Sequence, residues 1–293
     1  MLDQLGNGIL LGAIIAITSL GLSLVFSVTK TLNFAHGDMV TVGGVLTVFL
    51  SSNAVGLPLW LSAIAAVLFG AFLGFVLDLA LFRPMRHKGV GGVTMLVTTI
   101  GLALIVRYVL LAFFGPQPGS LALPSQTVTS YFGLQLTPVS LYVIIVSLVI
   151  LVLVALFLRR STMGISMRAI SSNRDLASAS GVNVDRLTLV TWAFGGGLAA
   201  VGGVMLAFTQ LVYWDMGTQL LLLMFAGIIV GGVGNPFGAM AGGFLVGVVT
   251  QLSVALPFVR EHTDLKLVIS LAIITLVLLA RPQGLLTRKE RIS

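Results

Sequence analysis

The densest polar stretch inside an otherwise apolar chain is Leu32-Asn33-Phe34-Ala35-His36-Gly37-Asp38. Asn33 and Asp38 each offer an oxygen that could cap the free N–H groups of a helix starting there. His36 could exchange a proton with Asp38, although residues two apart on a helix point to different faces. A metal site is not expected, because no further cluster of His or carboxylate supplies the remaining ligands. Gly37 gives the backbone freedom to turn.

Two more ionisable residues interrupt apolar runs. Arg107 stands seven residues before Phe114, the end of its run. A charge there must snorkel to the outer interface, pair with a polar group or face water. Asp78 precedes the basic cluster Arg83, Arg86 and Lys88, and pairing with one of those arginines is the expected arrangement. A proton relay would need a longer series of such groups. No Gly-x-Ser-x-Gly, His-Glu-x-x-His or Gly-x-x-x-x-Gly-Lys-Ser/Thr motif occurs, and with nine acidic residues the chain has little for catalysis. No enzyme activity and no cofactor of its own are expected.

The elements that hold these residues are membrane helices. The 293 residues are 57% hydrophobic and 9% charged, with a mean hydropathy of +1.11. A soluble domain would need more polar surface, and runs of 18 or more apolar residues recur, each long enough to cross about 30 Å of hydrocarbon. The expected fold is an all-α, polytopic transmembrane bundle of about 8–10 spans, forming a single domain over 1–293. The net charge of +7 points to basic cytoplasmic loops rather than to nucleic acid. With no cysteine, disulfides and thiolate metal sites are excluded. Met1–Gly8 carries no Lys or Arg, so the first apolar run is expected to be a retained helix and not a signal peptide.

Nine spans are expected: Ile9–Val28, Phe34–Leu50, Leu57–Phe82, Val93–Phe114, Leu141–Leu158, Leu187–Phe208, Gln219–Val233, Phe237–Leu256 and Leu265–Ala280. The second and seventh are short, as broken or re-entrant segments would be. Basic residues place Arg83–Lys88, Arg159–Arg186 and the tail with Arg281, Arg288, Lys289 and Arg291 in the cytoplasm. Gly115–Ser140 and Gln210–Thr218 then lie outside, the latter with Tyr213 and Trp214 where an aromatic belt would sit. Paired glycines suit close helix packing, while Gly231-Gly232-Val233-Gly234-Asn235-Pro236 would break a helix. Two short, interrupted segments in the two halves suggest a transport site between weak repeats. The polar groups of Asn33–Asp38 are too many for a lipid-facing surface. That stretch is therefore expected to break between helices and face a pathway near its cytoplasmic end.

Several stretches together carry a family resemblance along nearly the whole chain. They are Leu24-Val25-Phe26, Asn33 to Asp38, Thr98-Thr99-Ile100-Gly101-Leu102 and Thr162 to Ala169 with Asn173, Ala177 and Gly181. Gly231 to Gly238 and Arg281-Pro282-Gln283-Gly284-Leu285 complete the set. The chain resembles the permease subunits of branched-chain amino-acid ABC importers, the shorter of the two permease types (the Liv H type). The resemblance implies a bacterial inner-membrane importer with a cytoplasmic C-terminus. Its partners would be a second permease, two cytoplasmic ATPases carrying ATP and Mg²⁺, and a periplasmic substrate-binding protein. It implies branched-chain or related hydrophobic amino acids as substrate. Urea or short amides are the alternative within the same machine, and an ion-coupled secondary transporter is the alternative outside it.

In that frame Asn33, His36, Gly37, Asp38, Thr98, Thr99, Gly231, Gly232 and Gly234 become candidates for the pathway or gate. The cytoplasmic loop 159–186 becomes the coupling element, with Gly164, Arg168, Ala169, Asn173, Arg174, Ala177 and Gly181. Gly164–Gly181 is expected as one short helix along the membrane surface. Its small residues Ala169, Ala177 and Gly181 would seat in a groove of the ATPase, and Arg168 and Arg174 would make charge-assisted hydrogen bonds there.

Overall fold

The computed structural model describes residues 2–124, 126–131 and 133–255, together with 267–269, 271, 272, 275 and 279. The elements run α1 (Leu2–Thr29), α2 (Ala35–Ser51), α3 (Leu59–Leu77), a π-helical turn (Asp78–Phe82), α4 (Arg83–His87) and α5 (Gly92–Phe114). A two-stranded hairpin follows, β1 (Thr129–Tyr131) and β2 (Leu134–Leu136). Then come α6 (Pro138–Arg160), α7 (Thr162–Ser172), α8 (Arg174–Ala179), α9 (Val184–Thr209), α10 (Met216–Gly231) and α11 (Pro236–Ser253).

Among the described residues, six helical stretches are long and apolar enough to cross a membrane. α2 and α10 are apolar but shorter, and they are the two segments whose length marks them as short in the sequence. Eight of the nine expected spans therefore have a helical counterpart. The ninth, Leu265–Ala280, falls largely outside the described residues.

α1 and α9 form the centre, and both are mostly buried inside the chain. Their packing depends on small residues. Gly203 of α9 lies so close to α2 that a Cβ there would collide with the carbonyl of Val40, and a Cβ at Gly196 would strike Gly70 on α3. Side chains are absent where backbones meet, so dispersion contacts form directly between helices. α3 and α5 sit at the periphery and turn large apolar side chains outward, including Leu68, Phe72, Ile105 and Phe113.

The two faces assemble as the basic residues require. On one face a backbone bridge joins Gly119 to Val212, linking the two segments expected outside. On the other, Lys30 Nζ donates to the carbonyl of Ser171 at 2.8 Å, and His87 and Arg83 both approach Asp185. Four helix starts on this face carry side-chain caps. Ser161, Asn173, Asn183 and Asn235 each accept a hydrogen bond from a backbone N–H of the turn that follows.

Candidate functional site

The break between α1 and α2 is where the sequence places it, but it is deeper. α1 ends in a left-handed residue, Lys30, at φ 56°, and the chain then returns into the bundle as the non-helical stretch 30–34. His36 reaches the carbonyl of Thr18 at 3.0 Å, and Thr18 lies eleven residues before the end of α1. At 1.5 Å rise per residue, α2 therefore begins about 16 Å up α1, which five extended residues at about 3.3 Å each can span. The expected position near the cytoplasmic end is corrected accordingly.

Backbone brought to that depth needs partners. Thr99 of α5 supplies one of them: its hydroxyl accepts from Phe34 N at 3.3 Å, while its single proton is shared between the carbonyl of Leu96 at 2.7 Å and that of Leu32 at 3.3 Å. Asn33 Oδ1 accepts from Ala35 N at 3.1 Å, but the N-cap of α2 is Phe34, which has no side-chain cap bond, so Asn33 braces the turn before the helix rather than capping it. Asp38 does not cap. It is 1% exposed, and its carboxylate takes a two-pronged bond from Arg107, Nε to Oδ1 at 3.0 Å and Nη2 to Oδ2 at 3.2 Å.

That pair settles two expectations. Arg107 does not snorkel; it takes the other route available to it and pairs with a polar group. His36 and Asp38 do not share a proton, because they face different helices: His36 bonds to α1 and Asp38 to α5. Asp78 pairs as expected, with Arg86 at 2.6 and 3.1 Å. Gly37, in turn, lies within helix α2 and does not turn the chain. Its missing side chain lets α2 press against Gly217 of α10, where Gly217 N donates to Thr41 Oγ1 at 3.0 Å.

Asn33, His36 and Asp38 are each at most 1% exposed. Thr98 is half-buried and bonds within its own helix, to Thr94. Gly231 closes α10, and Gly232 and Gly234 take φ of 105° and 82°, so the Gly-rich stretch breaks the helix as its composition demands. Gly234 to Phe237 line a cavity of about 210 Å³ on the face that carries α7, shared with Ser27, Gly164, Arg168 and Ser171.

The 159–186 segment is two helices, not one. Asn173 takes an extended conformation between α7 and α8 and caps the second. One of the small residues expected at a partner groove turns inward instead, and so does Gly164 of the same loop. Ala177 is 5% exposed and packs with Met167 and Ile170 against the core. Gly164 abuts the backbone of Leu158 at the end of α6, whose carbonyl also accepts from Arg168. Ala169 is half-buried. What projects outward is Ile165, Asn173, Arg174, Asp175, Leu176 and Gly181. Gly181, at φ 88°, has open space around it.

The family model described as branched-chain amino acid transport system / permease component matches residues 4–278. The chain belongs to this family. Relatives align along its length. The high-affinity branched-chain amino acid transport system permease protein LivH of Escherichia coli (strain K12) is 29% identical, covering 99% of this chain and 96% of that protein. The probable branched-chain amino acid transport permease protein LivH of Methanocaldococcus jannaschii is 30% identical, covering 97% and 94%. The permease protein LivM of Escherichia coli is 24% identical, covering 92% of this chain and 67% of LivM. The family is one of transport permeases, not of enzymes, and the polytopic helical architecture is that of a membrane permease.

Sequence reasoning did not single out Thr18, Thr41, Gly217 or Trp192. Hydroxyls and glycines are common throughout such helices, and nothing local distinguishes the ones that meet α2.

Proposed function

We propose that this chain is one permease subunit of an ATP-driven importer of branched-chain amino acids in the bacterial inner membrane. The observation that carries the reading is the family match over 4–278, with relatives named for that substrate aligned along 97–99% of the chain. Both LivH and LivM align with it, which supports a pairing with a second, related permease. A periplasmic binding protein would deliver the substrate, and two cytoplasmic ATPases holding ATP and Mg²⁺ would drive the cycle.

The α7–α8 pair is the proposed ATPase-docking element. Ile165 and Leu176 are 53% and 65% exposed on an inner-face projection that also carries Arg174. Apolar anchors beside a fixed cation suit a protein groove better than water. ATP-driven closure of the motor would move α7 and α8, and the two facings of the pathway must differ in these contacts for ATP to shift their populations. The break at Asn33–Asp38 with Thr98 and Thr99, and the break at Gly231–Gly234, are the proposed gate regions. The basic tail after Ala280 is placed in the cytoplasm on its charge.

The test is purification with native partners followed by uptake assays in proteoliposomes. The expected result is ATP-dependent accumulation of leucine, isoleucine or valine. Uptake that survives ATP depletion and stops with an ionophore would favour ion coupling, and transport of urea or short amides alone would replace the substrate.

A further inference from the structure

Three buried side-chain nitrogens that bond to no protein atom belong to residues lining a single small cavity. They are Asn33 Nδ2, Arg86 Nε and Trp192 Nε1. The cavity also touches Thr29, Thr31 and Met95 and offers about 10 Å³ to the centre of a water molecule, roughly the room one water needs.

Each of the three is a donor, and none can reverse that role. Arg86 and Trp192 have no acceptor atom on their side chains. The Asn33 amide is oriented by Ala35 N, which donates to Oδ1 and leaves Nδ2 as the free end. Arg86 engages Asp78 through both Nη atoms, and this end-on fork leaves Nε–H directed away from the carboxylate. Trp192 is fixed by stacking on Phe82, with ring centroids 4.5 Å apart. A buried donor without a partner loses the hydrogen bond it made in water, and the penalty is greater when it is charged. Three at one cavity call for an acceptor.

We propose that this cavity binds one water molecule, whose two lone pairs accept from the N–H groups of Asn33, Arg86 and Trp192, two at a time. Its own hydrogens have acceptors at hand. The hydroxyls of Thr29 and Thr31 give their protons to Val25 O and Thr29 O; Thr29 Oγ1 also accepts from Thr31 N and keeps one lone pair, and the Thr31 hydroxyl oxygen can accept as well. A halide would satisfy donors equally well, but the Asp78–Arg86 pair is already neutral, and an added anion would lie uncompensated in the bundle. The water joins the stretch after α1 to the α4 end of the third span and to α9.

The test uses the full chain in lipid nanodiscs with ¹⁵N-labelled indole. The chain has three tryptophans. Trp60→Phe with Trp214→Phe leaves Trp192 as the sole reporter without touching the cavity. The expected result is a cross-peak from the Trp192 indole proton to a long-lived water, unchanged when chloride is replaced by iodide or sulfate. Met95→Phe, which fills the cavity with ring carbon, should abolish it. Absence of the cross-peak in the parent chain overturns the proposal. An indole shift that follows the identity of the halide overturns it in favour of an anion site.

Discussion

The guanidinium of Arg107 and the carboxylate of Asp38 form a two-pronged ion pair, at 3.0 and 3.2 Å, between α5 and the first turn of α2. Asp38 is 1% exposed and the Arg107 side chain 19%. α5 is otherwise among the least buried helices, so this pair and Thr99 are its main polar attachments to the bundle.

Removing one partner strands the other charge. Arg107→Leu should therefore destabilise the chain by about 3–5 kcal/mol, read as a lower melting temperature in detergent and less assembled complex. Arg107→Lys keeps the charge but not the fork, and an intermediate loss is expected. The double variant Asp38→Leu with Arg107→Leu should recover most of the lost stability. A double variant as unstable as Arg107→Leu alone would show that the pair is not what holds α5.

Thr99 holds the non-helical stretch by its hydroxyl. Thr99→Val keeps the shape and removes the bonds, at a cost of about 1–3 kcal/mol for backbone groups left unpaired. Thr99→Ser should behave like the parent chain. Uptake per assembled complex in vesicles checks the functional side. If the stretch belongs to the gate, the valine variant transports more slowly, and equal rates for all three would remove Thr99 from the mechanism.

Glycines divide by what surrounds them. Gly203→Ala drives a methyl into the carbonyl of Val40 and should sharply reduce the yield of folded protein. Gly101→Ala, on a helical position with open space, should be neutral or stabilising by up to about 1 kcal/mol. Comparative melting curves of the two variants decide it.

On the docking element, Arg174→Glu reverses an exposed charge and should leave insertion and melting temperature unchanged. Substrate-stimulated ATP hydrolysis should fall by about tenfold or more, the equivalent of one charge-assisted hydrogen bond. Ala177→Phe should act differently. Ala177 is buried, so this variant should lower the stability of the permease itself. Full hydrolysis and uptake with Arg174→Glu would place the motor elsewhere.

Much of this was legible before any coordinates. Hydropathy located eight described helices, and length alone marked α2 and α10 as the short ones. The Gly-Gly-Val-Gly-Asn-Pro run announced its own break. Depth was not legible. Nothing in Lys30–Phe34 says that the chain climbs about 16 Å back into the bundle, because the group that His36 meets there is the backbone carbonyl of Thr18, which every residue carries. Which of its three routes Arg107 takes was not legible for the same reason. Its distance from the helix end is a local fact, whereas Asp38 arrives from 69 positions away. The inward turn of Ala177 was hidden too, since a small residue suits a partner's groove and the chain's own core equally well.

Backbone contact through glycine also bears on how force travels. Where long side chains separate two helices, each rotamer can absorb part of a push. Between α9 and its neighbours α2 and α3 there is almost nothing to compress. A displacement entering at the inner end of α9, where Asp185 meets His87 and Arg83, would reach the far end as a lever moves, without backlash.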